Sequence, residues 1–161
     1  MNLQFVKKLE GVWVGRGVGV YPPRVARFEY EEHLTVKATA KPTVWEFRSA
    51  TKHAISGKPM HVEVGYMRAQ QTGGVELVAS HPFGLTEISS GTCVDDDRVE
   101  LHASSNTLMR VGSATSPHTT GLRRLYAFSD DGDSLTFIMD MATSNHPELQ
   151  NHLVCKLQRQ K

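Results

Sequence analysis

The chain has 161 residues, which is long enough for one domain to bury a core without disulfides or a structural metal. Hydrophobic residues make up 39% of the sequence and charged residues 22%, which argues against a disordered chain. The net charge of +1, from 18 basic and 17 acidic residues, argues against nucleic-acid binding as the main role. Two cysteines, Cys93 and Cys155, are too few for a disulfide framework or an all-cysteine zinc site.

The N-terminal segment lacks the features of a targeting sequence. Lys7, Lys8 and Glu10 interrupt its apolar residues, so the core of a signal peptide is missing. No stretch approaches the roughly 18 apolar residues of a membrane helix. We therefore expect a cytoplasmic protein, with a nuclear location as the alternative, that is neither secreted nor bound to a membrane.

The predicted elements begin with a short helix and continue as strands. Leu3, Val6 and Leu9 share one helical face, and Gly11 ends the helix. From there the apolar pattern has a period of two, which predicts short strands at residues 11–20, 28–38, 43–49, 60–67, 75–79, 85–89, 99–103, 108–114, 122–128 and 135–141. Residues 144–150, which include Pro147, are predicted to form one helical turn, and a last strand carries Leu153, Cys155 and Leu157 on one face.

Roughly ten short strands with turns about every 8–12 residues are typical of an antiparallel sandwich or barrel. No alternation of strands and helices is present, so a parallel α/β fold is disfavoured. We predict an all-β protein, a ten-stranded antiparallel up-and-down β-barrel with a short N-terminal helix, formed by residues 1–161 as a single domain. A closed barrel has no edge strands and can hold one small ligand.

Two strands have unusual faces. In residues 11–20 one face carries Trp13 and four glycines, which predicts either a sharp bend at a barrel corner or the close approach of something bulky. Trp13 itself is expected to anchor the core at one end of the barrel. In residues 28–38 the apolar face is interrupted by Glu32.

Common catalytic motifs are missing from the sequence. It contains no P-loop, no HExxH, no CxxC and no GxSxG. His61 and Glu63 match the first half of the zinc deaminase signature, but the required PCxxC is absent. The acidic run 95–97 lacks the spaced ligands of a calcium loop and is interpreted as a solvated hairpin tip.

An ordered set of short motifs resembles the nitrobindins, a family of small ferric-haem proteins. The motifs are G-x-W-x-G-x-G at 11–17, Tyr-Pro at 21–22, F-x-Y-x-E at 28–32, KPMH-x-E-x-GY at 58–66, MAT at 141–143 and QNHL at 150–153. They occur in the family's order over residues 9–157, and this order makes the set more specific than any single motif.

The resemblance implies a ten-stranded barrel, similar in architecture to fatty-acid-binding proteins, that holds one haem b with ferric iron. The family's axial histidine falls on His152, which would be the metal ligand and, through the haem iron, the catalytic residue. Met60, His61 and Met141 fall on positions that line the haem pocket. Nitrobindins bind nitric oxide and convert peroxynitrite to nitrate, so the implied protein is a haem-dependent peroxynitrite isomerase.

This sequence departs from the family pattern at three places. Pro23 stands where many relatives carry a threonine associated with the haem site, and Thr115 stands where relatives often carry a basic residue near the haem rim. The segment between Met141 and His152 is one residue longer than is common. These departures concern haem affinity and leave the expected iron ligand in place.

The residues by themselves leave alternatives open. A neutral imidazole is a usual axial ligand of haem iron, but His146 and His152 rank equally without the family match. Leu153 is expected to point away from His152, to the other side of the wall. The glycine face of residues 11–20 would let a flat macrocycle approach the backbone.

Two other functions fit the same barrel. A carrier of a lipid or other apolar molecule would fix a carboxylate with buried arginines, for which Arg110, Arg123 and Arg124 are candidates. A haem domain could also sense nitric oxide without turnover. In each case the expected partners are small molecules, and the chain is expected to be a monomer or a homodimer.

Overall fold

The computed structural model describes residues 3–21 and 25–161. Within these residues the chain forms one α-helix, one 3-10 turn at Ser105–Thr107 and eleven strands. In chain order the helix and strands are α1 (Leu3–Leu9), β1 (Gly11–Tyr21), β2 (Val25–Ala38), β3 (Val44–His53), β4 (Pro59–Ala69), β5 (Gly74–His81), β6 (Leu85–Asp95), β7 (Arg98–Ser104), β8 (Leu108–Arg110), β9 (Thr119–Phe128), β10 (Ser134–Thr143) and β11 (His146–Arg159).

The strands close into an antiparallel barrel, as the alternation predicts. Each strand from β1 to β7 pairs with the next, β7 pairs with β9, and β9, β10 and β11 follow in order. Pairing of β11 with β1 completes a ring of ten strands. The short β8 lies outside this ring and pairs with the first half of β6. The predicted ten-stranded up-and-down barrel is therefore confirmed, with one additional strand.

Helix α1 fills one end of the barrel. Its Phe5, Val6 and Leu9 are fully buried because the helix lies with its apolar face toward the interior. The ring of Trp13 is also buried, packs 5.7 Å from the ring of Phe128, and donates its indole N–H to the Leu9 carbonyl at 2.9 Å. Trp13 is a core anchor, as predicted. No helix within the described residues is long and apolar enough to cross a membrane.

The glycines of β1 make room for the protein's own aromatic rings. A Cβ atom at Gly17 would overlap the ring of Tyr30, and one at Gly19 would overlap the ring of Phe28. Both rings belong to β2, which pairs with β1 at these positions. The expectation that this face receives a flat macrocycle is wrong, because the space above the glycines is already filled.

Two further local predictions need correction. Residues 144–150 do not form a helical turn, because Ser144 and Asn145 make a tight connection and β11 already begins at His146, opposite Thr143. The weak strand predicted at 108–114 is limited to Leu108–Arg110. The other strands occur where predicted, with several ends extended.

Candidate functional site

A cavity of about 240 Å³ lies toward the end of the barrel away from α1. Most of its wall is apolar, with contributions from Phe28, Leu122, Phe137 and Leu153. A few polar residues also line it, among them three histidines and two glutamates described below. A mostly apolar cavity with a few converging polar groups is the usual form of a small-molecule site.

His152 reaches the cavity from a bulge in β11. Met139 of β10 lies opposite Leu153, but the next residue, Asp140, lies opposite Asn151, so His152 is the extra residue of the pair. As a result, His152 and Leu153 both line the cavity. The expectation that Leu153 points away from His152 is wrong, because the bulge breaks the alternation of the strand.

The orientation of the His152 ring is set by backbone and aromatic contacts. Its Nδ1 lies 2.8 Å from the carbonyl oxygen of Val20. Since a carbonyl only accepts, Nδ1 carries the proton and donates it, which leaves Nε2 with its lone pair. The rings of Tyr21 and Phe28 meet the imidazole edge-on at 5.7 and 6.5 Å.

The ionisation state of His152 suits metal ligation. Burial lowers the pKa of the imidazole, although the hydrogen bond to Val20 acts in the opposite direction. The ring is therefore neutral at neutral pH. A neutral imidazole held by a hydrogen bond from Nδ1 to a carbonyl, beside an apolar cavity, is the donor expected for the single protein ligand of a haem iron. The residues present thus fit this group.

The other predicted site residues fall into three groups. Met60, His61 and Met141 line the same cavity as His152, with Met60 exposed at its edge. Thr115 is exposed in the loop before β9 and, in the part of the chain that is described, does not contribute to the cavity wall. Pro23 lies outside the described residues.

His146, the alternative ligand, occupies a different position. It contacts Tyr21 edge-on at 6.0 Å, so the Tyr21 ring contacts both histidines. Among the described residues that line the cavity, His152 is present and His146 is not.

A buried ion cluster beside the cavity is not predicted from the sequence. At its centre is Arg124 of β9, which has no exposed surface. Its guanidinium donates to both carboxylate oxygens of Glu63 at 2.9 and 2.7 Å, and to both oxygens of Glu87 at 2.8 and 2.7 Å. Ser89 donates to Glu87 from the same strand. The arginine therefore holds two carboxylates, each by a bidentate contact.

Two histidines extend this cluster to the cavity. His81 Nε2 lies 3.0 Å from Glu87 Oε2, and His81 Nδ1 lies 3.0 Å from His61 Nε2. The same Nδ1 is 3.6 Å from Glu63 Oε2. His61 and His81 stack with ring centroids 5.2 Å apart, and both line the cavity.

The guanidinium controls the charge of the cluster. Burial by itself would raise the pKa of Glu63 and of Glu87, but the positive charge of Arg124 outweighs it and both pKa values are lowered. Burial likewise opposes the charge on Arg124, but its two carboxylates raise its pKa well above the usual value. All three groups are therefore ionised at neutral pH.

Glu32 behaves differently because it lacks a cationic partner in contact. Burial raises its pKa to about 7, a hydrogen bond from Ser49 at 2.8 Å opposes this rise, and the negative charge of Glu63 adds to it. Within the described chain, the second oxygen of Glu32 and the hydroxyl of Tyr30 have no hydrogen-bond partner. These polar atoms lie at the wall of the cavity.

One sequence signal could have revealed this cluster. Glu87 stands between Leu85 and Ser89 on the buried face of β6, and Arg124 stands between Leu122 and Tyr126 on the buried face of β9. A charged residue that interrupts an inward face requires a buried partner. The sequence contains the interruptions, but it does not indicate which strands face one another across the barrel.

Comparison with known proteins places the chain in a family. The model of the THAP4-like, heme-binding beta-barrel domain matches residues 2–159. The chain belongs to this family. The resemblance drawn from the motifs is therefore confirmed over nearly the whole sequence.

Several relatives in the THAP4-like family are mycobacterial. Peroxynitrite isomerase 1 of Mycobacterium tuberculosis (strain ATCC 25618 / H37Rv) is 40% identical over 161 residues, covering 99% of this chain and 95% of that protein. Peroxynitrite isomerase of Mycobacterium leprae (strain TN) is 36% identical over 159 residues, covering 98% and 94%. The crystal structure of Rv2717c from M. tuberculosis superposes with a TM-score of 0.86 at 37% identity, covering 99% of this chain and 98% of that chain.

Proposed function

We propose that this protein binds one ferric haem b through His152 and isomerises peroxynitrite to nitrate. The observation that carries the proposal is the His152 imidazole, which lines the cavity with Nδ1 held by the Val20 carbonyl at 2.8 Å and Nε2 left for a ligand. The haem-binding family and the names of the relatives support the same chemistry. Nitric oxide and peroxynitrite are the small-molecule partners that we expect.

The protein's own groups would position the reaction. A bound ferric haem supplies Lewis-acid and one-electron activation of the peroxynitrite O–O bond. His152 holds the cofactor, and the carbonyl of Val20 and the ring of Tyr21 fix the imidazole plane. Peroxynitrite and nitrate are isomers, so the net reaction needs no proton and no electron from the protein. The apolar wall limits the access of water.

The hypothesis that the protein carries a lipid is disfavoured, because the three candidate arginines already bind acceptors within the protein. Arg124 is saturated by Glu63 and Glu87, so it cannot clamp the carboxylate of a lipid without losing a buried partner. Arg123 pairs with Glu100 at 2.8 Å and Asp140 at 2.9 Å. Arg110 donates to the backbone carbonyl of Thr119. All three cations already have acceptors.

The test is a hemin titration followed by peroxynitrite decay. Wild-type protein is expected to give a Soret shift that saturates at one hemin per chain, and His152→Ala is expected to lose it. His146→Ala is the matched control, since it removes the other histidine in contact with the Tyr21 ring and should titrate like wild type. A normal Soret band in His152→Ala would show that the ligand assignment is wrong.

The hemin-loaded protein is then mixed with peroxynitrite. Faster decay with nitrate as the product, lost in His152→Ala, supports the isomerase. Binding of nitric oxide without any acceleration of peroxynitrite decay would favour a sensor of nitric oxide instead.

A further inference from the structure

Three side chains of the buried cluster converge in the manner of metal ligands. One nitrogen of His61, one nitrogen of His81 and one carboxylate oxygen of Glu63 all lie within 4.8 Å of one another. His61 and Glu63 are alternate residues of β4, and His81 ends the neighbouring β5. Two imidazoles and one carboxylate are a common protein ligand set for divalent transition metals.

Two of the three separations between the ligand atoms are close to those of a four-coordinate site. Bonds of about 2.0–2.1 Å in a tetrahedral site separate neighbouring ligand atoms by roughly 3.3–3.5 Å. His61 Nε2 and His81 Nδ1 are 3.0 Å apart, and His81 Nδ1 and Glu63 Oε2 are 3.6 Å apart. Small side-chain adjustments, together with a change of the His61 tautomer that moves the proton from Nε2 to Nδ1, would bring the three atoms onto one ion.

Two of the three ligands, His81 and Glu63, are already held in place by a neighbouring residue that would not itself bind the metal. Glu87 accepts a hydrogen bond from His81 Nε2 at 3.0 Å, so the lone pair of that imidazole lies on Nδ1, the atom that faces His61. Arg124 grips both oxygens of Glu63 with its fork of donors. Carboxylate–histidine contacts of this kind are characteristic of metal sites because they fix the tautomer and the ring orientation.

The charge balance also favours a cation at this position. The carboxylates of Glu63 and Glu87 outnumber the single guanidinium of Arg124, and all three groups are almost fully buried. Metal ligation requires both imidazoles to be neutral, and the cluster then carries one net negative charge inside the barrel, which is costly when it is unbalanced. A metal ion between the imidazoles would compensate that charge.

The site opens to the cavity, and an aromatic ring packs beside its two imidazoles. His61 and His81 both line the cavity, which leaves space for a fourth ligand such as water or a small anion. The ring of Phe83 lies 5.7 Å from His61 and 5.4 Å from His81 and covers both imidazoles.

We propose that His61, Glu63 and His81 form a binding site for one divalent transition-metal ion of the zinc type, with its fourth position facing the cavity. This site is separate from His152, which the proposed function assigns to haem. The protein would then hold two different metal centres at one cavity.

The experiment uses haem-free protein stripped with a chelator and titrated with Zn²⁺ against a chromophoric zinc indicator. Wild type is expected to bind one Zn²⁺ per chain with submicromolar affinity, and His81→Ala and His61→Ala are expected to lose this binding. Glu87→Gln leaves all three ligands in place but changes the outer partner of His81 and removes one of the two carboxylates on Arg124, and it is expected to weaken the binding by about 10–100-fold. Circular dichroism establishes that each variant retains the barrel.

Two matched variants act as controls. His102→Ala removes an exposed histidine that pairs with Glu100 at 2.8 Å, and it should bind Zn²⁺ as wild type does. His152→Ala should also retain Zn²⁺ binding. Replacement of Zn²⁺ by Co²⁺ in wild type should give the intense visible bands of a four-coordinate ion.

The proposal is overturned if wild type binds no Zn²⁺ at micromolar concentrations, if folded His81→Ala and His61→Ala bind as tightly as wild type, or if His152→Ala loses the ion. A parallel hemin titration keeps the two centres distinguishable. If the protein binds hemin but not Zn²⁺, only the proposed zinc site is overturned. If it binds Zn²⁺ but not hemin, only the proposed haem function is overturned.

Discussion

At the residue scale, Arg124 is the group on which the interior of the barrel depends most strongly. It has no exposed surface and forms four hydrogen bonds to two carboxylates. The cost of removing one partner from such a buried network is large, because the remaining charges have neither water nor a counter-ion. The neighbouring Arg123 lies on the outer face of the same strand, where water screens its ion pairs.

Arg124→Met is expected to lower the free energy of unfolding by about 3–5 kcal/mol at neutral pH. Arg123→Met, the matched control, is expected to cost at most about 1 kcal/mol. Urea unfolding of both variants measures the difference. Equal effects of the two substitutions would show that Glu63 and Glu87 do not depend on Arg124.

The buried carboxyl group of Glu32 makes the stability of the protein depend on pH. Its pKa rises from 4.5 to about 7 on folding, first because of burial, so between these pH values the folded state binds more protons than the unfolded state. The stability contributed by protonated Glu32 is complete below about pH 4.5 and is lost as pH rises through about 7. The contribution of Glu32 to the free energy of unfolding therefore falls by about 1.4 kcal/mol for each pH unit across this window.

We expect Glu32→Gln to remove this slope, because the amide cannot ionise and its oxygen can still accept from Ser49. We expect the free energy of unfolding, measured at several pH values from 5 to 8, to become larger for the variant than for wild type as pH rises, by up to about 3 kcal/mol. Glu31→Gln is the control, since Glu31 lies on the outer face of β2, partly accessible to water, and Lys52 holds its pKa below the usual value. The same slope in Glu32→Gln and wild type would contradict the assignment.

At the element scale, the adjacent strands β1 and β11 determine which side chains line the cavity. The glycines of β1 leave space for the rings of Tyr30 and Phe28, both of which line the cavity. The bulge in β11 turns His152 inward beside Leu153. Small residues on one strand and one extra residue on its neighbour therefore determine which side chains reach the interior.

Gly17→Ala is expected to destabilise the protein by about 1–3 kcal/mol, because the new methyl group would overlap the almost fully buried ring of Tyr30. Gly112→Ala is the control, since a Cβ atom there meets no atom within 4 Å. Its effect should stay within about 0.5 kcal/mol. Thermal unfolding compares the two variants, and a neutral Gly17→Ala would mean that β2 can shift away from β1.

At the scale of the whole molecule, the barrel has two unlike ends. Helix α1 and Trp13 fill one end with close-packed apolar side chains. The other end contains the cavity, with His152 on its wall and the buried ion cluster beside it. A ligand that binds the folded barrel and not the unfolded chain raises the free energy of unfolding by mass action. Because the closed ring makes the strands depend on one another, we expect this effect to extend to the whole barrel.

Hemin is therefore expected to raise the melting temperature of the wild type. At a free concentration 100 times the dissociation constant the added stability is about 2.7 kcal/mol. His152→Ala should show no such shift, whereas His146→Ala should behave as wild type. A differential scanning measurement with and without hemin checks this, and an equal shift in His152→Ala would indicate binding that does not use that imidazole.

Much of the fold could be predicted from local patterns in the sequence. Alternation of period two and well-marked turns are properties of neighbouring residues, and they indicated the strands, the barrel and the helix that precedes it. The family resemblance, carried by QNHL and by the motif around Met60 and His61, pointed to residues that line the cavity. These signals depend on a few consecutive side chains, so the chain order is sufficient to detect them.

The rest was decided by tertiary structure. Arg124 meets Glu63 across 61 residues of sequence and Glu87 across 37, and no local pattern indicates which charged residues face one another inside a closed ring. The bulge that turns both His152 and Leu153 inward depends on the register between β10 and β11, which alternation alone does not specify. The sequence by itself determined the strands and the barrel, whereas closure of the strands determined which buried charges meet, because only closure brings distant strands within hydrogen-bond distance.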